Sequence, residues 1–138
     1  MELEKLASEA VDCAFVIHRK LGPGLLESVY EALMARSLET RGLCVERQKS
    51  ISFTFEGIKF EDGLRVDLLV ESKLLVELKS VECIAPVHSK QVLTYLRVLE
   101  MPLGLLINFG SATIKDNIRR IVNNHTDYSS SRLRIHHD

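Results

Sequence analysis

The stretch GLRVDLLVESKLLVELKS, residues 63–80, decides the fold. Two short runs rich in Val and Leu, Leu64–Val70 and Leu74–Lys79, flank the polar step Glu71-Ser72-Lys73, as in two strands joined by a turn. Side chains alternate faces along a strand, so Glu77 and Lys79 share one face while Val76 and Leu78 take the other. A hairpin turning about Ser72 sets Asp67 opposite Glu77 and Arg65 opposite Lys79, with paired Cβ atoms about 5 Å apart. Two carboxylates that close repel unless something neutralises them, which a divalent cation does. Hard oxygen donors favour Mg²⁺ or Mn²⁺. A two-residue turn would instead place the acids on opposite faces.

Asp67, Glu77 and the backbone carbonyl of Leu78 are the expected metal ligands. Such a site suits phosphodiester hydrolysis, because a bound divalent ion polarises a phosphoryl oxygen and acidifies water. Lys79 is expected to orient or deprotonate the attacking water and to offset the added negative charge of the transition state. Glu-x-Lys is also the ordinary pattern of a solvated strand face. An acid held between Val66 and Leu68 is the less usual feature.

On the N-terminal side, residues 2–21 read as an amphipathic helix with Leu3, Leu6, Ala10, Ala14, Ile17 and Leu21 as its apolar stripe. Acids lie early and bases late, matching the helix dipole. Gly22-Pro23-Gly24 breaks the chain. A second helix is expected from Leu25 to Thr40, with Leu26, Val29, Leu33 and Ser37 on one face and Gly42 as its stop. Within it, Gly24-Leu-Leu-Glu27-Ser-Val-Tyr30 brings Glu27 and Tyr30 to one side. Val45–Lys49 and Ile51–Glu56 read as strands, with a turn near Glu61-Asp62-Gly63.

On the C-terminal side, Pro86 opens a new element. His88–Glu100 is expected to be helical, with Val92, Leu96 and Leu99 buried. His88, Gln91 and Tyr95 follow i, i+3, i+7 spacing on a separate face that could line a cleft. There Gln91 would position a water or contact phosphate, and Tyr95 would stack or hydrogen-bond. Leu103–Asn108 is a continuous apolar run, as in a strand covered on both faces. Ile114–Val122 is expected to form a last helix. Residues 1–122 therefore make one domain, and 123–138, with no packing pattern, a loosely ordered tail.

The chain has 138 residues, is 46% hydrophobic and 27% charged, and carries a net charge of −1. That composition fits one globular domain with its own core. A pI near 6.5 argues against a strong, non-specific nucleic-acid binder, which usually has a basic surface. Arg19, Lys20, Arg47, Lys49, Lys90 and Arg97 are candidate bases for the rim of a local site. Three widely spaced cysteines, Cys13, Cys44 and Cys83, suggest buried free thiols and no disulfide framework. No apolar run suits a bilayer span and the acidic start is unlike a signal peptide, so no membrane and a cytoplasmic location are expected. Phosphate-binding loops, dinucleotide fingerprints and Gly-x-Ser-x-Gly elbows do not occur in the sequence.

Taken in order, Gly24-x-x-Glu27-x-x-Tyr30, Asp67, Glu77-Leu78-Lys79 and Gln91-x-x-x-Tyr95 resemble the GxxExxY proteins, a bacterial and archaeal branch of the PD-(D/E)XK nuclease-like superfamily. The resemblance runs over roughly residues 3 to 122 and includes Gly104-Leu-Leu-Ile-Asn108-Phe-Gly110, similar to the family's last core strand. It implies a restriction-endonuclease-like α/β (α+β) fold with an α-β-β-β-α-β core, a central mixed sheet flanked by helices. It implies metal ligation by Asp67 and Glu77, a catalytic Lys79, and a Glu27 that some members add to the metal shell. Gln91 and Tyr95 match the Gln-x-x-x-Tyr of recombination-type nucleases. Val66 stands where the motif's proline would be. The expected function is a Mg²⁺- or Mn²⁺-dependent nuclease acting on nucleic acid, DNA in the first instance. A homodimer is compatible, because many small nucleases need a second subunit to cut both strands. The rival readings are a non-catalytic nucleic-acid-binding module and a protein-interaction module on the same fold.

Overall fold

The computed structural model describes residues 1–124 and 133–136. Helix α1 spans Leu3–Leu21 and α2 Glu27–Thr40, followed by strands β1 (Val45–Phe55), β2 (Ile58–Val70) and β3 (Leu74–Lys79). Helix α3 (Pro86–Leu99) leads to β4 (Leu103–Asn108), a short 3₁₀ turn at Lys115–Asn117, β5 (Ile118–Val122) and β6 (Leu133–His136). The strands form one mixed sheet in the order β5-β4-β3-β2-β1-β6. Among the described residues, only β3 and β4 run parallel. Parallel neighbours need a crossover, and α3 supplies it. This is the α+β restriction-endonuclease-like arrangement expected from the sequence.

Both faces of the sheet are covered at its centre, while the far end of the β1–β2 hairpin, with Phe55, Ile58 and Phe60, is exposed. On one, Leu6, Ala10 and Ala14 of α1 and Tyr30, Met34 and Leu38 of α2 pack on Leu68, Val76, Leu78, Leu105 and Ile107. On the other, Val92, Leu96 and Leu99 of α3 pack on Ile51, Val66, Leu75 and Leu106. Burying each of the Leu, Ile, Val and Met side chains stabilises the fold by ~1.5–3 kcal/mol. Strand parity breaks in the middle of β1 and β2. Leu64 and Val66 belong to the α3 side, whereas Leu68 and Val70, of the same parity, belong to the α1/α2 side. In β1, Val45 packs toward α1/α2 but Ile51 and Phe53 toward α3. The hairpin rolls over near Asp67 and Gln48, and Gln48 has a positive φ of 49°.

Several expectations are corrected. The two strands read around Val45–Lys49 and Ile51–Glu56 are one strand, β1. Its hairpin with β2 closes at Glu56-Gly57, not at Glu61-Asp62-Gly63. Both closing residues have positive φ, as the two-residue turns that match strand twist require. Glu61-Asp62-Gly63 is a bulge, where the register shifts between Ile51 and Phe53 and the Asp62 N–H donates to Ser52 Oγ at 3.0 Å. A Cβ at Gly63 would fall 2.5 Å from the Phe53 ring, so any other residue there would push that ring aside.

Helix α2 buries Tyr30, Glu31, Met34, Ala35 and Leu38, not the Leu26/Val29 face. The helix begins at Glu27, which leaves Leu26 outside it and exposed. The expected last helix is a 3₁₀ turn plus β5. Ile114, Ile118 and Ile121 have helical spacing, but the open edge of β4 offers a full backbone ladder, and Leu103 to Ile107 pair with Val122 to Ile118. Residues 133–136 of the expected tail form β6, paired with residues 52–55 of β1. Residues 125–132, 137 and 138 of that tail lie outside the described residues. Cys13 alone of the three free cysteines is buried; Cys44 and Cys83 sit on exposed connections.

Candidate active site

The β2–β3 hairpin turns through three residues, Glu71-Ser72-Lys73, and pairs Val70 with Leu74, Leu69 with Leu75 and Leu68 with Val76. Continued by one step, that register sets Asp67 opposite Glu77. The backbone ladder stops there and side chains take over. The Asp67 N–H donates to Glu77 Oε1 at 3.0 Å, and the Leu78 N–H donates to Asp67 Oδ2 at 2.9 Å. The expected pairing of Arg65 with Lys79 does not form. Arg65 pairs with Ser50, and Lys79 stands beside Asn108 of β4. The strands diverge once the acids have replaced the ladder.

Glu77 is only 5% exposed. Burial, then the nearby Asp67 charge, raises its carboxyl to about 8, with Lys79 pulling the other way. A buried acid that resists ionisation next to another acid holds poorly compensated negative potential, which a cation would relieve. Glu27 reaches the same end of β3 from the first turn of α2. Desolvation raises its carboxyl, Lys79 opposes the shift, Asp67 adds to it, and a Ser80 backbone hydrogen bond steadies the charged form. Tyr95 approaches from α3. Burial and the charge of Glu77 raise its phenol, while a hydrogen bond with Gln91 works against the shift. Gln91 Nε2 donates to the Tyr95 oxygen at 3.1 Å.

Glu27, Asp67, Glu77, Lys79, Gln91 and Tyr95 thus converge at one end of the sheet. Beside them lies an open groove of about 490 Å³ lined by Val87, His88, Lys90, Gln91 and Thr94. His88 has a separate task, its Nδ1 accepting the Ala85 N–H at the start of α3. Of the candidate rim bases, Arg47 pairs with Glu31 and Lys49 with Glu46, whereas Lys90 stands on the groove.

Tyr30 organises the approach to Glu27. Its ring stacks on Phe109 at 4.4 Å. Its hydroxyl donates to the Gly22 carbonyl at 2.7 Å and accepts the Leu25 N–H at 3.2 Å. Ser80 Oγ donates to the Leu25 carbonyl at 2.8 Å, tying this loop to the end of β3. Gly24 has a φ of 115°, open to glycine and strained for other residues. At the end of β4, Asn108 accepts the Val81 N–H and donates to the Val81 carbonyl, both at 2.9 Å. The segment following Lys79 is thereby fixed.

The sequence reading missed Glu31, Gln48 and Asn108. Glu31 and Asn108 are buried polar residues, and Gln48 donates to both Glu31 and Asp67. The signal for Glu31 emerges only once the buried face of α2 is known. With Tyr30, Met34 and Leu38 as the true stripe of α2, Glu31 sits on the buried side, where an acid needs a partner.

The sequence matches the PD-(D/E)XK nuclease superfamily over residues 4–121, and the chain belongs to that superfamily. No curated protein and no solved structure matches the chain. PD-(D/E)XK nucleases generally use divalent metals. Among the described residues, no three His, Cys, Asp or Glu side chains cluster closely enough to hold an ion by themselves. The paired carboxylates of Asp67 and Glu77 nevertheless fit a divalent cation that takes one or two carboxylates and completes its shell with other ligands. Also among the described residues, no helix is long and apolar enough to cross a membrane.

Proposed function

We propose that the chain is a Mg²⁺- or Mn²⁺-dependent nuclease that hydrolyses phosphodiester bonds, with DNA as its substrate. The observation that carries this reading is the meeting of Asp67 and Glu77 where the β2–β3 ladder ends, with Leu78 bound to Asp67 and Lys79 next in the chain. Asp67, Glu77 and the Leu78 carbonyl would hold the ion, with Glu27 adding negative charge beside them. Once bound, a divalent ion supplies Lewis-acid polarisation of the phosphoryl group and acidifies water.

The chain's own side chains do the rest. Lys79 brings a positive charge to the same end of β3, where it orients the attacking water and offsets charge on the phosphoryl oxygens. Gln91 and Tyr95, already hydrogen-bonded to each other, line the approach from α3 and position a water or a phosphate. The groove with Lys90 and Thr94 provides room for the backbone of the substrate strand.

The test is cleavage of labelled DNA and RNA with Mg²⁺ or Mn²⁺ by wild type, Glu77→Ala and Lys79→Ala. DNA cleavage that needs the metal and is lost in Glu77→Ala supports the proposal. Lys79→Ala is expected to slow cleavage by ~10²–10⁴-fold, the range for a lost proton-transfer or charge-stabilising group, while Mn²⁺ still binds. Cleavage unchanged in Glu77→Ala would sink the assignment. Salt-sensitive binding without cleavage by the wild type would point to a non-catalytic nucleic-acid-binding module.

A further inference from the structure

The β1–β2 register pairs Arg47 with Leu68 and Lys49 with Val66, which sets Gln48 across from Asp67. Gln48, Asp67 and Glu77 therefore stand in one row across three strands. Gln48 departs from strand geometry, with its φ of 49°, a value uncommon for non-glycine residues outside turns. It sits where β1 rolls from one face of the sheet to the other. Backbone outliers of this kind persist when their surroundings over-determine them, and they gather at functional sites.

The side chain shows what holds it. Gln48 Nε2 donates to Glu31 Oε1 and to Asp67 Oδ1, the latter at 3.2 Å. Glu31 is buried, 6% exposed, and its other oxygen accepts from Arg47 Nε at 3.2 Å and Nη2 at 3.1 Å. A buried carboxylate is costly unless paired and hydrogen-bonded, and here adjacent residues of one strand satisfy its two oxygens. Asp67 is consequently gripped on both sides, by Gln48 at Oδ1 and by the Leu78 N–H at Oδ2.

We propose that Gln48 is a positioning residue: anchored on the buried Glu31 carboxylate, which the exposed Arg47 also holds, its amide fixes the Asp67 carboxylate in the orientation the site uses. The proposal rests on the metal-site reading for its consequence, but not for the contact itself. Partners that orient a metal ligand typically change metal affinity by about 10–100-fold when removed.

The test uses Gln48→Met, which keeps length and removes both donors, and Glu31→Gln, which weakens the anchor. Two readouts separate the contact from its consequence. In metal-free protein, hydrogen exchange at the Leu78 amide is compared with that at Val76 in the same strand. Mn²⁺ affinity is then measured by calorimetry. Gln48→Met is expected to lose protection at Leu78 but not at Val76, and to bind Mn²⁺ about 10–100-fold more weakly. Glu31→Gln should change both in the same direction by less. Unchanged Leu78 exchange, or a loss of protection spread evenly over β3, overturns the proposal. So does unchanged Mn²⁺ affinity in the variant when the wild type binds the ion. Folded wild-type protein that binds no Mn²⁺ sinks the metal reading, and Leu78 exchange alone then decides the positioning role. Should Gln48→Met fail to fold, Gln48→Gly, which suits the positive φ, carries the same comparison.

Discussion

Glu77 shows what the site demands of a single residue. Its carboxyl is buried among β-strands beside Asp67 and raised to about 8 from an ordinary 4.5. Between those values the folded protein binds a proton that the unfolded chain has released, so stability falls as pH rises. This contribution is fully present below about 4.5, is lost as pH climbs through about 8, and then levels off. Chemical denaturation of metal-free protein from pH 5 to 9 is expected to show that decline. Glu77→Gln, neutral throughout, should flatten it and be the more stable protein at pH 8. An unchanged decline in the variant would assign the effect to another group. Asp67 and Glu77 were legible as a pair because the side-chain period of a strand is two. Gln48 was not legible, because its role depends on how β1 lies across β2.

At the scale of the element, the end of β3 is fixed from both neighbouring layers. The loop before α2 is tied to Ser80, and Asn108 at the end of β4 is tied to Val81. Gly110 lies against the same segment so closely that a Cβ would sit 2.3 Å from the Val81 carbonyl oxygen and 2.4 Å from its nitrogen. Gly110→Ala must therefore push Val81 and, through Ser80, Lys79. Overpacking of this kind costs ~1–3 kcal/mol. A lower thermal midpoint together with slower cleavage is expected; cleavage at the wild-type rate would show that the end of β3 tolerates displacement. Tyr30→Phe keeps the stack on Phe109 but removes the hydroxyl that holds Gly22 and Leu25. A loss of about 1 kcal/mol in unfolding free energy is expected.

Across the whole molecule, the charges nearly cancel, and several bases are engaged within the fold. Arg41 pairs with Glu9 and Asp12, Arg47 with Glu31, Lys49 with Glu46, and Arg120 with Glu4. A substrate strand laid along the α3 groove would meet Lys90 in preference to these. DNA affinity is expected to fall with salt along a shallow line, as few phosphate contacts dictate. Lys90→Ala should reduce the log–log slope by about 1 and weaken binding alike on all sequences. Lys49→Ala should leave the slope near its wild-type value. The reverse ranking, measured by titration at several salt concentrations, would move the substrate path away from α3.

The sequence by itself determined the order of helices and strands through β4, apart from the long β1 that it read as two strands, the hairpin that brings the two acids together, and the membership of Gln91 and Tyr95 on one face of α3. Each follows from a local rule, because strand alternation, helical periodicity and turn residues act within about a dozen positions. The tertiary structure alone decided which face of α2 is buried, because Leu26 and Val29 look as apolar as Tyr30 and Met34 until the sheet is in place. It likewise turned residues 118–122 into a strand, since the free edge of β4 offered backbone partners that helical spacing cannot reveal. It also placed Gln48 against Asp67, because cross-strand register and the roll of the hairpin arise only when chain segments far apart in sequence pack against one another.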